Sequence, residues 1–444
     1  MIISFEIENW MAFRDATLFT MVASRERNHN TRIVRVSKYP VRILPVTSIY
    51  GGNASGKTIF FKSLRFAKDF ITGGLGPEEK IPVEPFRLNP NYKNKPTKFR
   101  FELLINDIIY EYSFSVTKDI VIEEKLVKIT SSSEIEFFHR STTEDYMRID
   151  DSLPERERLK YAFEGTDENQ LFLNNSVSQK ITIFQPVFDW FKKKLVLIGP
   201  QTQSGPFTSI ASKESPYYQN INQSLQDLDT GILHLDGETI SLESLQLEDG
   251  LRDQIKRQVT ENVAIEMTSL DGSQRVMIRK ENDELVATKL ISYHSQADGG
   301  KIKFEMAEES DGTRRLIDLL PGFYGMASEK NDKVYVIDEL DRSLHTMLTR
   351  QLINSYLCNC KAQTRSQLIF TTHDLLLMDQ NLLRRDEMWI TERDDEGASN
   401  LISFAEFKGI RLDKDIRKSY LQGRFGGIPK ILIDECLVMN NTEG

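Results

Sequence analysis

An α/β fold built on a parallel sheet is predicted by three apolar strands that each end abruptly in chemistry-bearing residues. The first, Val46-Thr47-Ser48-Ile49-Tyr50, runs into Gly51-Gly52-Asn53-Ala54-Ser55-Gly56-Lys57-Thr58, a complete G-x-x-x-x-G-K-[ST] phosphate-binding loop. The second, Lys333 to Ile337, ends in Asp338-Glu339-Leu340-Asp341, and the third, Gln367 to Thr371, ends in Thr372-His373-Asp374. β-Branched, apolar runs of this kind suit central strands buried on both faces, and ligands of open α/β sheets gather at the carboxyl ends of strands.

Each strand end has its own chemistry. Behind the loop, Phe60, Leu64, Ala67 and Ile71 fall on one face of a helix. Glycines at Gly51 and Gly56 let the backbone turn tightly, so that the N–H groups of Asn53, Ala54 and Ser55 surround phosphates. Lys57 is expected to reach the β- and γ-phosphates of a nucleotide, and the Thr58 hydroxyl to hold Mg²⁺. Of the adjacent carboxylates, Asp338 would hold Mg²⁺ through its shell and Glu339 would orient and deprotonate the attacking water. The same residues also read as a strand that ends in a polar turn. His373 can hydrogen-bond the γ-phosphate or the water and sense which nucleotide is bound. It also fits a turn histidine, with Asp374 as N-cap of Leu375-Leu376-Leu377-Met378; the two readings are compatible.

The bulk of the chain leaves room for this. With 444 residues it can form one large α/β domain with insertions or two to three smaller ones, and 39% hydrophobic with 28% charged residues is ordinary for a globular protein. No apolar run approaches the roughly 18 residues that span a bilayer. The opening Met1-Ile2-Ile3-Ser4-Phe5-Glu6-Ile7 alternates like a strand and has no signal-peptide character. Three cysteines make neither a disulfide framework nor a zinc site, so a reducing cytoplasm is expected. A net charge of −9 argues against coating nucleic acid by charge alone, and Lys192-Lys193-Lys194 reads as a solvated face.

Between loop and carboxylates lies a long insertion. Phe99, Phe101, Leu103 and Ile105 alternate, Asn106-Asp107 can turn, and Ile108, Tyr110, Tyr112, Phe114 and Val116 alternate again, which predicts a hairpin. Val121 to Ile129 and Glu134 to His139 continue as strands of an antiparallel layer. Helices are predicted over 151–163 and 242–259, the latter with a stripe of Leu247, Leu251, Ile255 and Val259. A second hairpin is predicted from Val263, Ile265 and Met267 through Asp271-Gly272 to Val276 and Ile278. Ser204 to Ser224, polar with two prolines, reads as a loop. No heptad pattern persists over several heptads, so a long coiled coil is not expected.

The order of these parts resembles an ABC-type ATPase head of the SMC/RecF-like branch, and in particular the bacterial AAA-type ATPases grouped with the OLD family. Besides the loop, Asp338-Glu339 and His373, the resemblance rests on Glu309-Ser310-Asp311-Gly312-Thr313-Arg314-Arg315, which matches the signature segment, and on Asp341-Arg342-Ser343-Leu344-His345 after the catalytic Glu. Phe5 to Phe13 resembles the group's first strand and turn, and Tyr420-Leu421-Gln422-Gly423-Arg424-Phe425-Gly426-Gly427-Ile428-Pro429 its closing motif. The transporter-type Leu-Ser-Gly-Gly-Gln is absent, Asp311 sits inside the segment, and Thr58 replaces the usual Ser. Gln201 and Gln203 are candidates for a switch loop.

The resemblance implies an α/β P-loop NTPase, an ABC-type head with an antiparallel β-layer and an inserted helical subdomain. Its parts would be an amino-terminal ATPase lobe at 1–130, an insertion at 131–300 and a carboxy-terminal ATPase lobe at 301–444. It implies that Ser310, Gly312 and Thr313 act in trans on the γ-phosphate held by a second subunit. The face made by Leu316, Leu319, Leu320 and Phe323 puts those residues at a helix amino terminus, where N–H groups and the dipole favour an anion. A homodimer or larger ring bridged by ATP follows. The chain stops too soon after Pro429 for a Toprim nuclease, so a nuclease or toxin is expected as a separate effector, as in anti-phage systems of the PARIS or Septu kind. A RecF-like repair ATPase that contacts DNA, a transporter subunit and a nucleotide-gated scaffold are the alternatives. Lys57→Ala is expected to abolish ATP binding in a fluorescent-nucleotide titration, and unaltered affinity would move the site elsewhere.

Overall fold

The computed structural model describes residues 1–444 except 145, 201–206, 246, 261–262, 270–273, 329–330, 408–415 and 428–444. The chain divides into two compact units. One, here the loop unit, comprises Ile2–Asn30, Arg35–Lys192 and Ile369–Gly444; the other, the carboxylate unit, comprises Met1, Thr31–Val34 and Lys193–Leu368. Among the described residues no helix is long and apolar enough to cross a membrane.

In the loop unit a seven-stranded antiparallel sheet runs in the order Tyr146–Ile149, Glu134–Ser141, Val121–Ile129, Ile108–Val116, Thr97–Ile105, Ile2–Glu8, Thr17–Thr20. The predicted hairpin is present, and Asn106 and Asp107 turn it with φ of 51° and 57°, as a two-residue loop between twisted strands requires. Alternation makes one face aromatic. Phe5 stacks on Phe101 at 4.6 Å, and the helix Lys57–Gly73 lays Phe60, Phe66 and Phe70 on Phe5, Phe99 and Phe114 at 5.8, 5.3 and 5.8 Å. The opposite face is charged and paired across strands, Lys98 with Glu8, Arg100 with Glu6 and Glu111, and Lys125 with Glu136, at 3.1 to 3.5 Å. Packing is therefore one-sided.

The turn after the first strand is closed by Asn9, almost wholly buried and with a φ of 54°. Its side-chain amide donates to the carbonyls of Tyr92 and Lys95 at 3.0 and 2.9 Å and its oxygen accepts from the Phe86 N–H at 3.0 Å. Asparagine tolerates the left-handed region and carries both donor and acceptor, which an apolar residue would not.

The strand that leads into the phosphate loop, Val46–Tyr50, is buried at every position and pairs in parallel with Met388–Arg393, which forms an antiparallel hairpin with Ser399–Ser403. On its other side the Thr372 N–H donates to the Ile49 carbonyl at 3.1 Å. Below this sheet Arg384 is fully buried. It donates to both Asp386 oxygens at 2.8 and 2.7 Å and to the carbonyls of Glu26 and Asn28 at 3.0 and 2.5 Å. Asp386 in turn accepts from the Ser24 N–H at 2.7 Å.

In the carboxylate unit Leu195–Ile198 pairs in parallel with Val334–Ile337, all four residues of which are buried, and the Gln367 N–H donates to the Lys333 carbonyl at 3.0 Å. A second sheet places Glu284–Ser295 between Ile232–Ile240 and Arg275–Glu281, with Ile265–Thr268 beyond the latter and Lys301–Glu305 also paired to the central strand. The helix Asp311–Ala327 contains Pro321 and is followed by Thr346–Asn359.

Three local expectations are corrected. Ser204 to Ser224 is loop only over 212–217 of its described residues: Phe207–Ala211 and Tyr218–Asp227 are helices. Their apolar residues are few, but Ile210, Ile221 and Leu225 come at helical spacing and are all buried. The helix predicted from residue 151 starts at Arg156, because Pro154 disfavours a helical residue before it and Glu155 takes a φ of 60°. The predicted 242–259 helix is a 3₁₀ turn, Leu242–Leu245, then Asp249–Gln258; Ile255 and Val259 pack on Val276 and Ile278, while Leu251 is exposed. The predicted Asp271-Gly272 turn and Gln201 and Gln203 lie outside the described residues, as does the motif beyond Gly427.

Arg384→Ala would leave Asp386 buried without its partner and is expected to cost about 3–5 kcal/mol. In urea denaturation followed by far-UV circular dichroism the midpoint of the loop unit should fall, and an unchanged midpoint would show the network to be dispensable.

Candidate nucleotide site

The loop bends at two glycines that no larger residue can replace. Gly51 has a φ of 152°, and a Cβ there would stand 2.3 Å from the Thr391 hydroxyl and 2.8 Å from its carbonyl. At Gly56, with a φ of 125°, a Cβ would stand 2.8 Å from the Ser399 hydroxyl. The loop thus lies flat on the hairpin formed by Met388–Arg393 and Ser399–Ser403. Thr391 ties it down further, donating to the Tyr50 carbonyl at 3.2 Å and touching the Ser55 hydroxyl.

The helix Lys57–Gly73 begins immediately after Gly56, and no side chain caps its amino terminus. The N–H groups of a first turn have no partner within their own helix, so this end faces the loop as a donor array. Lys57 is almost wholly buried; its ammonium donates to the Gly51 and Gly52 carbonyls at 2.7 and 3.0 Å and lies 3.5 Å from Nδ1 of His373. Thr58, Asn53 and Ala54 are exposed. His373 is exposed too, and Asp374 caps the following 3₁₀ turn Leu375–Leu377 by accepting from the Leu376 N–H at 2.8 Å.

The closing motif is built into the same place. Gly427, with a φ of 70°, presents its carbonyl to the Gly52 N–H at 3.2 Å and to the Tyr420 hydroxyl at 2.7 Å. Gly426 passes so close to the Glu392 carboxylate that a Cβ would meet it at 2.3 Å. The second residue of the phosphate loop is thereby held from the carboxy-terminal side.

In the carboxylate unit, Val334–Ile337 runs directly into Asp338, which is fully buried and donates its N–H to the Ile198 carbonyl at 2.9 Å. Glu339 is half-buried, with a φ of 52°, a conformation that non-glycine residues seldom adopt. Ser310 is the N-cap of the helix Asp311–Ala327 and accepts from the Thr313 N–H at 3.1 Å, with the two hydroxyls 2.9 Å apart. Gly312 is partly buried against the turn that follows Glu339. Just before the cap, Glu309 is buried and accepts from Ser292 at 2.5 Å, with Nε2 of His294 at 2.7 Å. Arg315, also buried, faces the carbonyls of Gly199, Asp338 and Glu339; burial lowers its guanidinium from the ordinary value, and Asp318 opposes that shift.

A family model described as "AAA domain, putative AbiEii toxin, Type IV TA system" matches residues 46–379 of the chain. The chain belongs to this AAA family. No curated protein matches it. Among solved structures it is similar to the SMC head bound to the C-terminal winged-helix domain of ScpA, at 12% identity and a TM-score of 0.38, over 90% of this chain and 97% of that one.

As an AAA-family protein with an α/β P-loop fold and an antiparallel β-layer, the chain is of the ATPase kind. The donor set fits a nucleotide polyphosphate: an uncapped helix end, a buried ammonium drawn over carbonyls and a free-standing Thr58 side chain beside them. The Thr58 hydroxyl and, in the other unit, the Asp338 carboxylate are oxygen donors of the type Mg²⁺ takes. Of the residues singled out by sequence, the loop unit brings Gly51, Gly56, Lys57 and His373 together, and the carboxylate unit brings Gly312 against Ser343, four residues after Glu339. Thr391, Tyr420, Gly427 and Arg315 were not assigned a part by sequence. Tyr420 and Gly427 lie in the segment that resembles a closing motif and Arg315 in the one that resembles the signature, whereas nothing in the sequence marked Thr391.

Tyr420→Phe removes one hydrogen bond to the carbonyl that steadies Gly52, a net loss of about 0.5–1.5 kcal/mol. ATP affinity of the AAA protein is therefore expected to drop roughly 2- to 12-fold by titration calorimetry. Unchanged affinity would mean that the loop keeps its shape without the closing segment.

Proposed function

We propose that this chain binds and hydrolyses ATP–Mg²⁺ at composite sites shared by two copies, and that its nucleotide state regulates a separate effector, a nuclease or toxin, in anti-phage defence within the cytoplasm. The observation that carries the ATPase reading is the buried Lys57 ammonium over the loop carbonyls, at an uncapped helix amino terminus. Lys57 and the loop N–H groups would bind the β- and γ-phosphates, and His373, 3.5 Å from Lys57, would read whether the γ-phosphate is present. Thr58 and Asp338 would hold Mg²⁺, which when bound neutralises charge on the β- and γ-oxygens. Glu339 would orient the attacking water and take its proton. The exposed Ser310, with Gly312 and Thr313 at the helix end, would cap the γ-phosphate of the opposite subunit.

The defence role is supported by the family description, which names a type IV toxin–antitoxin setting, and by the resemblance to stand-alone OLD-like ATPases of the PARIS and Septu kind. Specific ATPase activity measured against protein concentration, for wild type beside Glu339→Gln, tests the proposal. Activity that rises with concentration and vanishes in the variant, with ATP-bound dimers accumulating by light scattering, is expected. Normal hydrolysis by Glu339→Gln, or concentration-independent activity from a monomer, would overturn it. Salt-sensitive stimulation by DNA would instead favour a repair ATPase.

A further inference from the structure

We propose that Arg315 is a positioning residue for hydrolysis, setting the direction of Glu339 from within the same subunit; this rests on the role given to Glu339 above. Past the Asp338 N–H that donates to Ile198, the carbonyls of Gly199, Asp338 and Glu339 all face Arg315. Buried carbonyls need donors, and of these residues Gly199 and Asp338 are buried and Glu339 half-buried. Arg315 supplies them: its guanidinium, on a side chain 6% exposed, stands 3.2 Å from the Gly199 oxygen, 3.4 Å from that of Asp338 and 3.5 Å from that of Glu339. One planar fork thus spans the ends of two neighbouring strands.

The grip matters because of the backbone it holds. Glu339 has a φ of 52°, and such a conformation persists only where its surroundings over-determine it. Two peptide units on either side of the Glu339 Cα meet that need: the Asp338 and Glu339 carbonyls both face Arg315, and the Arg342 N–H also donates to the Glu339 carbonyl at 3.1 Å. With both peptides fixed, the Cα–Cβ bond of Glu339, and hence its carboxylate, is aimed. One turn earlier on the same helix, Gly312 approaches the Ser343 carbonyl so closely that a Cβ would stand 2.6 Å away. The helix carrying Ser310 to Thr313 therefore holds the turn after Glu339 at two points.

Lysine at this position keeps the charge but cannot span three carbonyls, and glutamine keeps a planar donor without a buried charge. In Arg315→Lys and Arg315→Gln, normalised to nucleotide-binding stoichiometry, kcat is expected to fall on the order of 10- to 100-fold, while KM for ATP stays within about threefold. In single-turnover assays long enough to resolve the residual hydrolysis of the Glu339→Gln variant, neither change should slow that variant further, because both act through one group. The proposal is overturned if whichever variant folds retains wild-type kcat, if KM rises in step with the loss, or if the losses add in the double variant. Normal hydrolysis by Glu339→Gln alone would instead remove the role of Glu339 itself, a separate failure.

Discussion

Lys57 carries a positive charge into a place almost closed to water, where the carbonyl oxygens of Gly51 and Gly52 and the ring of His373 receive it. A desolvated ammonium is tolerated only where dipoles or anions compensate for the lost water. The flatness of the loop follows from that requirement. Carbonyls can turn toward the ammonium only if the backbone passes close to Thr391 and Ser399, and that passage admits no Cβ at Gly51 or Gly56. A polyphosphate entering this cradle would take over a charge already concentrated there, so most of the reorganisation precedes binding.

The two units solve the same problem at their buried strands in different ways. Val46–Tyr50 and Val334–Ile337 are closed to solvent along their whole length, so the groups that follow them must be satisfied by side chains or by tight turns. In the loop unit the solution is glycine, threonine and the returning Gly427 carbonyl; in the carboxylate unit it is a buried arginine. The aromatic layer of Phe5, Phe99, Phe101 and Phe114 serves the first arrangement, since it seats the helix whose amino terminus begins at Lys57.

What could be read from sequence was local chemistry. The hairpin of Thr97–Ile105 and Ile108–Val116, the strand Val121–Ile129 and the helix beginning at Asp311 all follow from alternation, turn residues and an apolar helical face lying within a few positions of one another. The helices at Phe207–Ala211 and Tyr218–Asp227 did not, because their buried residues are sparse among polar ones and serine and proline read as loop. Arg315 shows the deeper limit. Its partners include Gly199, 116 positions away, and nothing near an arginine in a sequence announces a distant carbonyl. Thr391 and Tyr420 are the same case: each acts on the phosphate loop from more than 300 positions along the chain, through contacts that only the folded sheet creates.

The helix Asp311–Ala327 also carries a consequence in its second half. Its opening turns are fastened by Ser310, Gly312 and Arg315, whereas Pro321 removes a backbone donor in mid-helix and Gly322 and Gly325 follow, the residues least suited to helix by intrinsic preference. Tertiary packing of Phe323 and Met326 must carry that half. Amide protons ahead of Pro321 should then exchange with solvent only when the whole unit opens, and those beyond it through cheaper, local openings, which a residue-resolved exchange map would reveal as a step at the proline. Such a helix is a rigid lever with a yielding handle: changes pressed on its far end are absorbed before they reach Glu339, unless they arrive as a movement of the helix as one piece.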